Sequence, residues 1–227
     1  MIKELYSHEL YIEENGFCAA TTLFILESPF DTELIEECAC VGDTGKRMTK
    51  VLGLNSSDSL GKLLKDKNSI ARNYAVFNTF KFPLDVKVSL KMAEQNRPHD
   101  LWTSCKIPWC SLKIDESKKG SLKKTIQFLK NKRSLKRYFV DYDESLDSFL
   151  NNAPHLNNII VCGNIAQVLF EQKTNIINLN SNLRSFPASI NGRSYNLMYT
   201  IHPSKWFSVE RGKGKKVKDA LAVFLRV

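Results

Sequence analysis

The sequence predicts an α/β fold of three layers, α/β/α, around a central four-stranded, mainly parallel sheet. Three observations lead there. Four short apolar runs, "AATTLFIL", "NYAVFNTF", "NNIIVCGN" and "SYNLMYTIHP", are each cut off by polar residues, Gly or Pro. Segments with helical patterning lie between them, as a parallel sheet with crossover helices requires. A chain of 227 residues with 43% hydrophobic content is enough for one sizeable core, so a single domain over 1–227 is expected.

In chain order, the run at 19–26 reads as a buried strand, continuous rather than alternating because both faces are covered. "DTELIEECA" follows as a helix, with Asp31 as the expected N-cap and acids in its first turn. Residues 41–53 begin as a glycine-bearing loop and continue as a helix, and "SSDSLGKLLKD" is a second short one. The strand at 73–80 comes next, then a helix over 86–95; 96–110 gives no clear pattern. A helix with a basic face starts after Gly120, and "YDESLDSFLNN" forms another. The strand at 157–164 leads into "IAQVLFEQ", the strand at 194–203 is stopped by Pro203, and "VKDALAVFLRV" closes as an amphipathic helix.

The N-terminal "MIKELYSHEL" lacks the apolar stretch of a signal peptide, and no apolar run approaches membrane-spanning length. A soluble cytoplasmic protein is expected, nucleoid-associated if bacterial, with no membrane partner. The six cysteines form no paired CxxC modules, so free thiols are expected and neither a metal site nor a cofactor. The net charge of +9 is uneven. Residues 1–37 carry one base and nine acids, 113–137 ten bases and two acids, and 205–227 seven bases and two acids. Concentrated basic segments suit a polyanion, nucleic acid first, or form a solvated lysine-rich surface. "GDTGK" lacks the spacing of a phosphate-binding P-loop, which excludes nucleoside triphosphate binding through that motif.

In parallel sheets, ligands bind at the carboxyl ends of the strands. Those ends carry Glu27-Ser28-Pro29-Phe30, Asn78, Cys162-Gly163-Asn164 and His202-Pro203-Ser204. A carboxylate, an amide and an imidazole are thus expected on one sheet edge. "LESPF", "VGDTGKRM", "VFNT", "IIVCGNIAQVLF" and "YTIHPSKW" stand in the order of motifs of the uracil-DNA glycosylase superfamily, which the chain resembles over roughly residues 20–220. The first resembles a G-E-A-P-G motif and the last an H-P-S motif. The resemblance implies an enzyme that flips a base out of DNA and cuts the bond to its sugar. By position, Glu27 corresponds to the catalytic acid, Asn78 to the base-reading amide and His202 to the H-P-S histidine. Ser28 stands where other branches have Asp or Asn, and Cys40 where a base-stacking aromatic is expected. The iron–sulfur branch's cysteine pattern is not reproduced.

These residue types suit the chemistry. Cleaving an N-glycosidic bond builds positive charge on the sugar, which a carboxylate stabilises, and negative charge on the base, which a neutral histidine stabilises. The expected roles are therefore Glu27 and His202 as catalytic groups, with Ser28, Phe30, Asn78 and Gly42 at the base. Ser204, Lys205, Trp206, Arg211, Lys213, Lys215 and Lys216 are expected to hold DNA, with Trp206 a candidate wedge in the base stack. Each has a plainer alternative: Glu27 as a helix cap, His202 as a hydrogen-bonded structural group, Asn78 as a structural amide, Trp206 as core. The expectation is a monomeric, monofunctional, metal-independent DNA glycosylase acting on uracil or a modified base in double- or single-stranded DNA, in repair or phage defence. Alternatives are an inactive glycosylase-like module that binds DNA or protein, and a hydrolase of free nucleotides.

Overall fold

A six-stranded sheet organises the computed structural model, which describes residues 8–10, 18–80, 119–131, 136–176, 183–206 and 212–225. Its strands are β1 (His8–Leu10), β2 (Thr22–Leu26), β3 (Tyr74–Asn78), β4 (Asn158–Cys162), β5 (Ser185–Ile190) and β6 (Arg193–Thr200), in the order β1-β3-β2-β4-β6-β5. The four inner strands, β3, β2, β4 and β6, are mutually parallel and coincide with the four apolar runs. The expected four-stranded sheet is therefore corrected to six, because β1 and β5 add antiparallel edges.

Seven helices are described: α1 (Asp31–Ile35), α2 (Asp43–Val51), α3 (Leu60–Lys65), α4 (Lys119–Lys130), α5 (Lys136–Asn151), α6 (Asn164–Thr174) and α7 (Gly212–Phe224). The helix expected over 86–95 lies outside the described residues, as does the unassigned 96–110. Alternate residues of each inner strand face opposite layers. Leu23, Ile25, Phe77, Val161 and Tyr199 join Leu122, Leu146 and Leu169 of α4–α6 in one core. Phe24, Leu26, Val76, Ile160 and Met198 join Met48, Leu63 and Leu221 of α2, α3 and α7 in the other. Both sheet faces are covered, which is why β2 and β4 are buried throughout.

Local chemistry sets the helix ends. Ser59 caps α3 by accepting the Lys62 N–H at 3.3 Å, and left-handed Asn175 ends α6. The cap of α1 is Phe30, not Asp31: the Glu33 carboxylate reaches back to the Phe30 N–H at 2.8 Å. Two glycines let α2 and α3 close on the 39–40 turn. A Cβ on Gly45 would fall 1.7 Å from the Cys40 carbonyl oxygen, and one on Gly61 1.9 Å from that of Ala39. No described helix is long and apolar enough to cross a membrane.

The connections fix where a ligand would sit. After β2 the chain crosses through α1–α3 to β3 on one side; after β4 it passes through α6 and β5 to β6 on the other. Adjacent strands β2 and β4 thus send their chains apart, and the crevice opens at their carboxyl ends, beside Glu27 and Gly163.

Candidate active site

A cleft of about 520 Å³ occupies that crevice, a volume in the range of small-molecule sites. Its walls bring together six of the residues singled out in the sequence: Glu27, Ser28, Phe30, His202, Ser204 and Lys205. Glu33, Thr44, Asn164 and Ile165 complete much of the lining.

Glu27 follows directly on β2. Its backbone carbonyl accepts the Thr79 hydroxyl at 2.5 Å and the Phe80 N–H at 3.1 Å, which ties it to the end of β3. One carboxylate oxygen accepts the Ile165 N–H at 3.1 Å, in the first turn of α6. The acid therefore lies at the positive end of a helix dipole. Gly163 makes that approach possible: a Cβ there would lie 2.2 Å from Glu27 Oε1. Its φ of +93° and ψ of 159° lie in a region open essentially to glycine alone. The helix-capping alternative for Glu27 is thus realised in the geometry, and it aims the carboxylate into the cleft at the same time.

His202 opens a short 3₁₀ turn, Pro203–Lys205. Its Nδ1 accepts the Ser204 N–H at 3.2 Å and lies 2.8 Å from the Ser204 hydroxyl. An amide cannot accept, so the hydrogen-bond network assigns the proton of the neutral ring to Nε2. Burial, reinforced by the Lys205 charge, lowers the imidazole pKa to about 4. At neutral pH the ring is an uncharged donor. The turn is held from both sides: the Arg47 guanidinium donates to the Ser204 carbonyl, and Trp206 Nε1 donates to the Ile201 carbonyl at 3.1 Å.

Trp206 is the clearest departure from the sequence reading. It is 1% exposed and packs in the core with Met48, Val217 and Leu221. With no accessible ring face, it is corrected from a DNA wedge to a core anchor. Asn78 is likewise buried, at 1% exposure, and is not part of the cleft wall. Neither of its amide atoms makes a well-formed hydrogen bond among the described residues, although it lies near enough to Glu33 to favour that group's charge. The two are close neighbours rather than a bonded pair. Gly42 caps α2 behind Thr32 and does not line the cleft. Cys40 is fully buried, its Sγ 3.3 Å from the Met48 sulfur, and burial raises its thiol pKa well above the ordinary value. Lys213, Lys215 and Lys216 are exposed on α7; Arg211 lies outside the described residues.

Three contributors were not singled out from the sequence. Glu33 lines the cleft while its two oxygens accept the Cys40 and Phe30 N–H groups. Burial pushes its carboxyl upward, against those N–H groups and Asn78. Its position three residues after the cap is the signal that could have found it. Thr44, at the start of α2, and Arg47, which reaches the 203–205 turn, have no local signature, since their roles depend on how α2 packs. Among the described residues, no group of three or more His, Cys, Asp or Glu side chains is arranged to hold a metal ion. Comparison with known proteins found no family model and no curated protein sequence that matches this chain.

Proposed function

We propose that the chain is a DNA glycosylase of the uracil-DNA glycosylase type, which hydrolyses the bond between a flipped base and its deoxyribose. The observation that carries the reading is a carboxylate, Glu27, and a neutral imidazole, His202, lining one nucleoside-sized cleft at the switch point of a parallel sheet. The four-stranded parallel centre of the sheet, between two helical layers, also agrees with that family's fold.

The chemistry follows from the two groups. As the glycosidic bond lengthens, positive charge builds on the sugar, and the Glu27 carboxylate stabilises it and orients the attacking water. The leaving base gains negative charge, which His202 meets by donating from Nε2. A neutral donor suits this task because it stabilises the anion without a full proton transfer. Exposed Phe30, at 53%, offers a ring at the cleft rim for the extruded base to stack on. Lys205, Lys213, Lys215 and Lys216 supply charge for the phosphates.

Duplexes carrying single candidate bases, incubated with the protein and then treated with alkali, test the reading. Strand cleavage that disappears in Glu27→Gln and His202→Ala supports it. The cap bond from Ile165 to Glu27 favours a second reading, a binding module in which the acid serves only the fold. DNA binding indifferent to both substitutions, with no base released from any substrate, would select that one.

A further inference from the structure

We propose that Lys205 gives this cleft a second, covalent activity: its amine condenses with the aldehyde of an abasic deoxyribose and opens the way to strand cleavage. The inference rests on the glycosylase reading, because such a sugar is that reaction's product, but it goes beyond monofunctional hydrolysis.

The geometry supports it in three ways. Lys205 lines the same cleft as Glu27 and His202. Its backbone is fixed at the rim: the Lys205 N–H donates to the His202 carbonyl at 2.9 Å, the Trp206 N–H to that of Pro203 at 3.0 Å, and Arg47 holds Ser204 from α2. Its side chain is exposed and makes no ion pair among the described residues, so a flexible four-carbon stem can carry the amine over the cleft. That its charge lowers the His202 pKa places the ammonium within electrostatic range of the imidazole.

The steps balance without an oxidant or reductant. The abasic sugar opens to a C1′ aldehyde and an O4′ hydroxyl. The neutral amine adds to C1′, forming a C–N bond while the carbonyl electron pair moves to oxygen and takes up a proton. Loss of water from this carbinolamine leaves a protonated imine. The Glu27 carboxylate then removes a C2′ proton; that electron pair forms the C2′–C3′ double bond, and the C3′–O bond breaks with its pair going to the departing phosphate. Water hydrolyses the imine and returns the lysine. Holding aldehyde and amine in one cleft raises their effective concentration.

The test uses the full chain and a duplex with a single preformed abasic site, so base excision is not needed. Sodium borohydride reduces any imine to a stable adduct, seen as a slower band in a denaturing gel and located by peptide mapping. The expected result is an adduct on Lys205 that falls by about tenfold or more in Lys205→Arg, which keeps the charge but cannot deprotonate to a nucleophile. Equal trapping in Lys205→Arg, an adduct on another lysine, or no adduct from a bound duplex would overturn the proposal and leave Lys205 a phosphate contact. Because the site is preformed, failure of the glycosylase reading would show separately, as no base released from any intact duplex.

Discussion

Gly163→Ala is the most informative single change, because two independent costs meet there. The backbone, at φ +93° and ψ 159°, lies where a Cβ is strained by about 1–3 kcal/mol. The new Cβ would also fall 2.2 Å from Glu27 Oε1 and 2.6 Å from its Cδ, so the carboxylate must move by roughly 1 Å and surrender the Ile165 N–H. A hydrogen bond to a charged group contributes about 1.5–3 kcal/mol, which brings the total to roughly 2.5–6 kcal/mol. For a domain of this size that lowers Tm by about 10 °C. The assay is thermal or urea unfolding of four proteins: the parent, Gly163→Ala, Glu27→Ala and the double variant. In the Glu27→Ala background only backbone strain remains, so the two changes couple by about 1.5–3 kcal/mol. A cost for Gly163→Ala that is the same in both backgrounds would refute the contact. If Glu27 is catalytic, the same 1 Å displacement slows base release by about 100-fold.

Lowering the pH tests His202. Its folded-state pKa of about 4 lies below the ordinary 6.5, so the unfolded chain takes up a proton first, and stability falls as the pH drops from about 6.5 towards 4. His202→Asn should flatten that part of the Tm profile, and ring resonances followed by NMR should titrate well below pH 6. Trp206→Ala should cost about 3–5 kcal/mol by denaturant unfolding, as for other buried aromatics; a variant that kept full stability but lost DNA affinity would restore the wedge role. Replacing Lys213, Lys215 and Lys216 by Ala should reduce the salt slope of duplex binding by about 0.9 for each phosphate no longer neutralised, as read by fluorescence anisotropy across a salt series. An unchanged slope would remove α7 from the DNA surface.

The inner strands are legible because burial on both faces writes β2, β3 and β4 as short apolar runs, and the buried second half of β6 as another. Their carboxyl ends then locate the cleft without further information. The edges are harder to read. β5, "SFPASI", holds a proline, two serines and an alanine, and only alternate residues face the core. Yet its turn carries a strong local hairpin signal: Asn191-Gly192, with φ of +50° and +79°, joins β5 to β6 in two residues. The flanking run masks that signal, since Ile190 is its sole β-branched residue. Trp206 shows a different limit. A tryptophan beside a basic run suits both a DNA wedge and a core anchor, and only the turn at Pro203, which folds the indole inward, decides between them. Asn78 does stand at the end of its strand as expected, but strand alternation turns its amide into the helical layer beside Glu33.

The two ends of the sheet bear on how copies of this protein meet. An exposed strand edge is a template for pairing with another chain. Among the described residues, one edge strand spans only His8–Leu10, and the other carries Pro187, which has no N–H to donate to an incoming strand. Among the described residues, neither edge offers a long, regular ladder on which a second strand could add, so the sheet carries little template for side-by-side growth.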